Sequence, residues 1–284
     1  MACKQRLFFL FLFILAGRTA LGASETQEKA LWTLWSLQTN NTARHEDIVA
    51  ACQQMQKASP TNPLLPVVQG LAAWHNLQMG KTNEAFALLG EMAAVEPATP
   101  TMTAGAEMGR RWLTRLDREK VRGALAAYYR QAIEYPINLQ PLKKATPSSA
   151  GALRPGEPDG KESPLPLTDR WGAPWQYQLA AFKVIKVARG QRYLLQSKTL
   201  GESSDLAKAL ERPYAGRILL QPVSLTIAGG GAQNVVFQTP GAQPEKILLS
   251  EGSQAAGITL TYIGARILIL CDGDHWRVVP KPAR

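Results

Sequence analysis

The side chains that could do chemistry in this sequence are few and lie far apart. Its three histidines, His45, His75 and His275, stand alone, outside any His-x-x-x-His or His-Glu-x-x-His spacing that would hold zinc. Cys52 has no second cysteine near it to complete a zinc site. The glycine run 229–231 lacks the Lys-Ser/Thr of a phosphate-binding loop, and no Gly-x-Ser-x-Gly motif occurs. These patterns predict no catalytic residue, no cofactor and no metal, and therefore a protein that is not an enzyme.

One alternative class of function depends on polar residues of the C-terminal half. An envelope enzyme or a polymer-binding protein could assemble its site from Asp169, Glu202, Asp205, Asp272 and His275. The neighbours Asp272, Asp274 and His275 could also bind a metal, although they fit the polar tip of a hairpin more simply. This alternative requires that the groups converge in one concave pocket.

The most specific local pattern is the stretch 169–177, which reads Asp-Arg-Trp-Gly-Ala-Pro-Trp-Gln-Tyr. Gly172 permits a tight turn, and Pro174 restricts the backbone that follows it. Asp169 can accept hydrogen bonds from the N–H groups of that turn. The large side chains are then expected to anchor a strand that leaves the turn, and Trp171 is expected in the core; they are Trp171, Trp175 and Tyr177.

This stretch resembles the Asp-x-Trp-Gly-x-Pro-aromatic-x-Tyr signature of the major pseudopilin of type II secretion. The neighbourhood agrees with the resemblance. A long helix has Tyr128-Tyr129 near its end and is followed by Tyr135-Pro136, and a strand at 193–197 precedes a Gly-and-acid loop at 200–205. The resemblance covers about residues 112–206. It implies a pilin-like domain in which a long helix packs on an antiparallel sheet.

Two departures from the pseudopilin pattern limit what the resemblance implies. The chain lacks the short basic leader and the long apolar N-terminal helix of that family, so it is not expected to pack into a pseudopilus. The calcium loop of the family is acid-rich, whereas here Glu202 and Asp205 are the acids that remain. Since Ca²⁺ takes six or more oxygen ligands, both a calcium site and a solvated loop stay open for 200–205.

The helical half contains a pattern similar to a tetratricopeptide repeat. Helices are predicted over Leu64 to Met79 and Asn83 to Val95, and a further helix over Ile48 to Pro60 resembles part of a preceding repeat. The turn glycine, the small residue and the closing proline at repeat-like spacing are Gly80, Ala85 and Pro97. The helix seam is predicted to be filled by Leu71, Trp74, Leu88 and Met92. An ordinary helical hairpin remains the alternative.

A third helix is predicted over Glu107 to Glu134, and strands follow it. Its apolar residues, Tyr128 among them, form one face, and its many arginines lie largely off that face. Pro136 to Thr168 reads as a loop because of its prolines. Short alternating runs then predict strands, including Phe182 to Val187 and the C-terminal run Lys246 to Val279. That C-terminal run resembles the small β-domains that dock secretins, although a generic β-meander explains it equally well.

Together these patterns predict an α+β fold with a signal peptide and three further regions. The expected ranges are a signal peptide at 1–22, tetratricopeptide-like helical hairpins at 23–105, a pseudopilin-like helix and sheet at 106–212, and a small β-rich domain at 213–284. The structural anchors expected within them are Leu71, Trp74, Tyr128, Trp171, Gly172, Pro174, Trp175 and Tyr177.

The N-terminal segment has the three parts of a secretory signal peptide. Lys4 and Arg6 precede the apolar run 7–16, and small residues at 20–23 predict cleavage after Gly22 or Ala23. The run is shorter than the ~20 residues that cross a bilayer as a helix. Removal of 1–22 takes away three basic residues and no acid, so the formal charge falls from +10 to +7.

The expected protein is periplasmic or secreted and has no transmembrane segment after cleavage. Its excess positive charge suits an acidic partner or an acidic cell envelope, although a solvated surface also explains it, and the expected partner is a protein of the envelope. The basic residues are scattered and do not form a nucleic-acid-binding stripe. Cys52 and Cys271 are expected to be buried thiols in different halves of the chain. The function that these features favour is an exported, non-catalytic binding or assembly component associated with a type II secretion or pilus-like envelope apparatus.

Overall fold

The computed structural model describes residues 23–40, 43–143, 164–180, 190, 192–211, 214, 218–241 and 243–282. These residues form α-helices and three antiparallel sheets, which confirms the predicted α+β class. The predicted signal peptide 1–22, the predicted strand 182–187 and much of the predicted loop 136–168 lie outside the described residues. The helices are α1 (Glu25–Gln38), α2 (His45–Ala58), α3 (Leu65–Gln78), α4 (Thr82–Ala94), α5 (Pro100–Ala132) and α6 (Leu206–Leu210).

Local capping signals explain where α1 and α5 begin. The Ser24 hydroxyl accepts from Gln27 N–H while the Gln27 side chain accepts from Ser24 N–H, which forms a capping box at α1. α3 and α4 match their predicted ranges to within one residue at each end. α5 begins well before the predicted Glu107, because Thr99 caps it and Pro100 occupies its first position, where no N–H is needed.

The strands form three separate antiparallel sheets. The first pairs β1 (Gln176–Leu179) with β2 (Tyr193–Gln196). The second has the order β3-β4-β5, formed by Gln221–Ile227, Gln233–Gln238 and Lys246–Ser250. The third has the order β6-β7-β8-β9, formed by Gln254–Ala255, Ile258–Ile263, Ile267–Cys271 and Trp276–Pro280.

Three apolar clusters hold these elements together. The first joins helices α1–α5 to one face of the third sheet, and it includes Ile269 and Trp276. The second lies between the second and third sheets, and it includes Phe237 and Leu268. The third joins the C-terminal half of α5 to the hairpin β1–β2 through residues such as Leu125. Helix α5 therefore connects the helical half with the strand-rich half.

The regions predicted from the sequence are joined in the structure by a continuous helix and by a shared strand. The boundary between 105 and 106 falls inside α5, which continues without interruption from Pro100. The C-terminal β-region has its own core between the second and third sheets, and it also packs on the helices, because β8 is buried on both faces. Since side chains alternate along a strand, Leu268 faces the second sheet while Ile269 faces the helices.

Candidate functional site

A buried ion cluster attaches α5 to the turn between β8 and β9. Arg115 has no exposed side-chain surface, and its Nη2 lies 2.8 Å from Asp274 Oδ1. Arg111 Nε lies at the same distance from that oxygen, and Trp112 Nε1 donates to the Asp274 carbonyl at 2.9 Å. Burial alone would raise the pKa of the Asp274 carboxyl, but the guanidinium groups of Arg115 and Arg111 outweigh it and lower the pKa to about 2.

A second set of contacts continues along the same helix towards β2. Arg118 is 7% exposed, and its Nε donates to the carbonyl of Leu195 at 2.8 Å. Its Nη1 lies 3.4 Å from Asp205 Oδ2. The guanidinium group has five N–H donors in one plane, so one arginine can donate to several acceptors at once.

The side of α5 that carries these arginines, predicted to lie largely off its apolar face, is also packed in part. The sequence period identifies one apolar face and leaves the arginines on the remainder of the helix. In the structure, a loop and the strand β2 cover part of that remainder, where Arg115 and Arg118 donate to the carbonyls of Ser203 and Leu195 inside the protein. Arg115 and Arg118 therefore connect α5 to the turn at Ser203 and to the strand β2.

The turn at 169–177 is built by Asp169, which is 4% exposed. Its Oδ1 accepts from the N–H groups of Trp171 and Ala173 at 3.1 and 2.9 Å. Its Oδ2 accepts from the Ser197 hydroxyl at 2.7 Å, which ties the turn to the end of β2. Gly172 has φ +82°, a conformation that a residue with a side chain rarely adopts.

The aromatic anchors of this turn divide into buried and partly exposed side chains. Trp175 is 6% exposed and its Nε1 donates to the carbonyl of Pro166 at 2.8 Å. Tyr177 is partly buried and donates to the carbonyl of Pro136 at 2.7 Å. Trp171 is also partly exposed and donates to Glu107 at 3.2 Å, so the buried tryptophan of the turn is Trp175.

Three of the remaining predicted anchors lie in two of the apolar clusters. Leu71 and Trp74 are buried among the helices, and the Trp74 ring meets the Tyr214 ring at 5.3 Å between centroids. Tyr128 is partly buried against the hairpin β1–β2. Pro174 forms an isolated bridge with Thr168 that closes the turn.

The loop 200–205 is occupied by internal contacts. Gly201–Ser204 forms a 3₁₀ turn, and Asp205 caps α6 by accepting from the N–H of Lys208 at 3.1 Å. Arg118 supplies a positive charge next to Asp205, while Glu202 is exposed. Within the described part of the chain, no group of three or more His, Cys, Asp or Glu residues is arranged to hold a metal ion.

Among the polar residues of the enzyme alternative, Asp272 belongs to a hairpin tip and lines a cleft. Asp272 Oδ1 accepts from the N–H groups of Asp274 and His275 at 2.9 and 2.7 Å, as the tip of a hairpin would. Asp272 also lines a cleft of about 670 Å³ beside the start of α5. The described residues that line this cleft do not include Asp169, Glu202 or Asp205.

Two histidines that stand apart in sequence meet in space. His45 Nδ1 lies 2.6 Å from His75 Nδ1, and His75 Nε2 faces Gln38 Oε1. Burial, together with the nearby His45, lowers the pKa of His75 to about 3, which keeps its imidazole neutral near pH 7. The expectation that all three histidines are isolated is therefore wrong for His45 and His75, because residues far apart in the sequence meet in the fold.

Both cysteines of the described chain are free and buried. Burial raises the pKa of the Cys52 thiol to about 12 and that of Cys271 even further. Both thiols are consequently protonated at neutral pH and poor nucleophiles.

A larger cleft of about 980 Å³ lies between the beginning of α1, the beginning of α5 and the third sheet. Glu28 is 1% exposed there, and it accepts from Tyr262 Oη at 2.9 Å and from the N–H groups of Ala265 and Arg266 at 2.9 and 2.7 Å. Burial and the hydrogen bond to Glu28 raise the pKa of Tyr262. Sequence reasoning missed this site, because its partners lie at opposite ends of the chain and no local motif links them.

Comparison of the chain with protein families, with curated proteins and with solved structures found no match. No helix among the described residues combines the length and the apolar character that a membrane span needs.

Proposed function

We propose that this protein is an exported, non-catalytic binding or assembly component that works beside a type II secretion or pilus-like apparatus in a bacterial envelope. In this proposal, the helices α1–α4 are a tetratricopeptide-like region, and α5 with β1–β2 is a pilin-like unit. The observation that carries the proposal is the internal use of the signature turn. The polar side-chain atoms of three of its residues form hydrogen bonds within the fold; these residues are Asp169, Trp175 and Tyr177.

The contact between α5 and the hairpin supports the pilin-like part of the proposal. The C-terminal half of α5 buries Val121 and Leu125 against Trp175, Tyr193 and Leu195, which places a long helix on a small antiparallel sheet. The other half of α5 is covered by α3, α4 and the third sheet. This leaves the described helix without the continuous apolar surface on which bundling of fibre subunits depends.

The proposed partner surface is the helical region, because a solenoid of helix pairs offers an extended binding surface. Trp32 on α1 is an exposed large apolar side chain of that region, at 36% exposure. Leu248 on β5 is an exposed apolar side chain on the opposite part of the fold and serves as the matched comparison, at 60% exposure.

The test is co-purification of the tagged protein from envelope extracts at low and high salt. We expect a secretion or pilus component to be enriched in the wild type, and to be lost with Trp32→Ala but retained with Leu248→Ala. High salt should weaken the contact because the protein carries excess positive charge. Equal enrichment in an untagged control, or loss with Leu248→Ala alone, would refute the proposed surface.

A second measurement separates an accessory component from a fibre subunit. The mature chain at high concentration is expected to remain soluble in size-exclusion chromatography and to show no ordered filaments by electron microscopy. Filaments formed by the purified chain would indicate that it is a fibre subunit and not an accessory component.

The alternative of an envelope enzyme or polymer-binding protein is less well supported. Asp169 and Asp205 are engaged in a turn and a helix cap, respectively, and Glu202 is exposed. The observation that still supports this alternative is the cleft that Asp272 lines.

A further inference from the structure

The loop that follows α5 presents two isoleucines to the outside of the molecule. Ile133 is 80% exposed and Ile137 is 86% exposed, which makes them the most exposed large apolar side chains among the described residues. Ile133 also has φ +61°, a left-handed conformation that a β-branched residue rarely adopts. Glycine is the residue that most often follows a helix in this conformation. Both the backbone and the exposure of Ile133 are therefore unfavourable for the isolated fold.

Neighbouring residues hold this loop firmly on the third cluster. The Tyr135 ring stacks on the Tyr129 ring and meets the Tyr193 ring edge-on, with centroid distances of 4.7 and 4.8 Å. The Tyr177 hydroxyl donates to the carbonyl of Pro136 at 2.7 Å. The two isoleucines consequently belong to an anchored surface, and their exposure is a feature of the folded loop.

A third exposed apolar side chain lies near the same tyrosines. Leu179 is 44% exposed and is the register partner of Tyr193 in the hairpin β1–β2. Directly paired residues of an antiparallel hairpin have their side chains on the same face, and Tyr135 packs on the Tyr193 ring of that face. Ile133, Ile137 and Leu179 are called the apolar patch below.

The exposed charged residues next to the apolar patch are mostly basic. Arg130 lies in the last turn of α5, Lys143 ends the short helix 140–143, and Arg192 directly precedes β2. Glu134 is the one acid of the segment 130–143. Three cations therefore stand against one carboxylate, and an anionic partner complements that charge.

We propose that the apolar patch is a contact site for an anionic lipid surface. Its aliphatic side chains would enter the boundary between headgroups and acyl chains, while the basic residues face the headgroups. Tyr129 and Tyr135 are partly exposed beside it, and tyrosine rings are favoured at that boundary. The inference goes beyond the proposed secretion partner and does not depend on it.

The degree of exposure favours a lipid surface over a groove on a protein. Side chains that are 80% and 86% exposed protrude from the molecule. A fluid surface can accept such a protrusion without a preformed pocket, whereas a protein partner needs a pocket of matching shape. The contact is peripheral, because it uses a few side chains and no spanning segment.

The test is co-sedimentation of the purified chain with phosphatidylglycerol vesicles and, for comparison, with phosphatidylcholine vesicles. We expect binding to the anionic vesicles that weakens as salt is added, because salt screens the attraction to charged lipid. Mass spectrometry would confirm that all variants have the same N-terminus, so that any effect of the predicted leader cancels between them. Absence of binding to both kinds of vesicle, or equal binding to both, would overturn the proposal.

Two pairs of variants locate the contact. Ile137→Ser should weaken binding about tenfold, which is the change expected when one aliphatic side chain is withdrawn from an apolar phase. Leu248→Ser is the matched control, because Leu248 is 60% exposed on the second sheet and should not contribute. Arg130→Gln should weaken binding about fivefold, whereas Lys57→Gln on α2 should not. Wild-type binding by Ile137→Ser, or an equal loss with Leu248→Ser, would overturn the proposal.

Ile133→Gly separates lipid contact from folding. Glycine adopts the left-handed conformation without strain, so this variant should melt about 1–3 °C higher than the wild type. The same variant should bind the anionic vesicles more weakly, because it lacks the side chain that enters them. A lower melting temperature would show that Ile133 serves the fold, and undiminished vesicle binding would show that it does not contact lipid; either result would refute its assigned role.

Discussion

Replacing Asp274 with alanine tests how the third sheet is held on α5. Asp274 is 8% exposed, and its carboxylate faces Arg111 and Arg115, each with an N–O distance of 2.8 Å. Arg115 is fully buried, so removal of the carboxylate leaves its charge without this counterion in a region poor in water. Breaking one partner of a buried pair typically costs roughly 3–5 kcal/mol. We expect a loss of that size in the free energy of unfolding.

The matched control is Asp47→Ala. Asp47 pairs with Arg44 at 3.1 Å, but the two side chains are 49% and 75% exposed, so water already compensates both charges. Exposed pairs contribute about 0–1 kcal/mol, and this substitution should have little effect. Urea unfolding followed by tryptophan fluorescence and near-ultraviolet circular dichroism would measure both variants. The slope with urea concentration should stay the same in both, because the surface exposed on unfolding is unchanged.

The pH dependence provides an independent check on the same group. The lowered pKa of Asp274, about 2, means that its stabilising contribution is present above the unfolded value and is lost as the pH falls through the folded value. Lowering the pKa from 3.8 to about 2 corresponds to roughly 2 kcal/mol of proton-linked stability. The stability difference between wild type and Asp274→Ala should therefore shrink between about pH 4 and pH 2. A loss at pH 7 no larger than that of Asp47→Ala would refute the reasoning, since it would mean that the guanidinium groups find other acceptors at no cost.

Other expected outcomes follow from burial and close packing. Gly109→Ala should destabilise the protein by about 1–3 kcal/mol, because an added Cβ would lie 2.7 Å from the Leu89 carbonyl oxygen. Gly123→Ala in the same helix meets nothing within 4 Å and should stabilise the protein by about 0.4–1 kcal/mol. Thermal unfolding would distinguish the two variants. Trp175→Ala should cost about 3–5 kcal/mol in chemical unfolding, and a loss below about 1 kcal/mol would contradict its burial. In the mature chain, Cys52 and Cys271 should resist a thiol reagent at pH 8 until denaturant is added, and rapid labelling of the folded protein would contradict their raised pKa values.

The sequence alone was sufficient wherever a structure depends on near neighbours. The helix pair around Gly80 was predicted to within one residue, because helix period, turn glycine and closing proline all act within a short segment. The turn at Asp169 was predicted for the same reason, since its acceptor and its N–H donors lie within four residues. The burial of Cys52 and Cys271 was also anticipated from their separation in a chain with few cysteines.

Only the tertiary structure decided which faces of these elements are covered. The period of α5 marks an apolar stripe, but it cannot show that strand ends and loops also surround Arg115 and Arg118. Arg115 pairs with Asp274, which is 159 positions away, so the residues next to Arg115 in the sequence look the same as those next to a solvent-exposed arginine. For the same reason, the exposure of Trp171 could not be separated from the burial of Trp175 within one aromatic turn.

The larger cleft shows the physical basis of this division most directly. Glu28 and Tyr262 are separated by 234 positions, and each looks locally like an ordinary helix or strand residue. Their hydrogen bond exists because the first cluster brings α1 onto the third sheet, and Gly264 leaves room for the carboxylate beside the turn. Local sequence determines helices, caps and turns through interactions of a few residues. The buried contacts of Asp274 and Glu28 depend on the packing of those elements, and packing is a property of the whole chain.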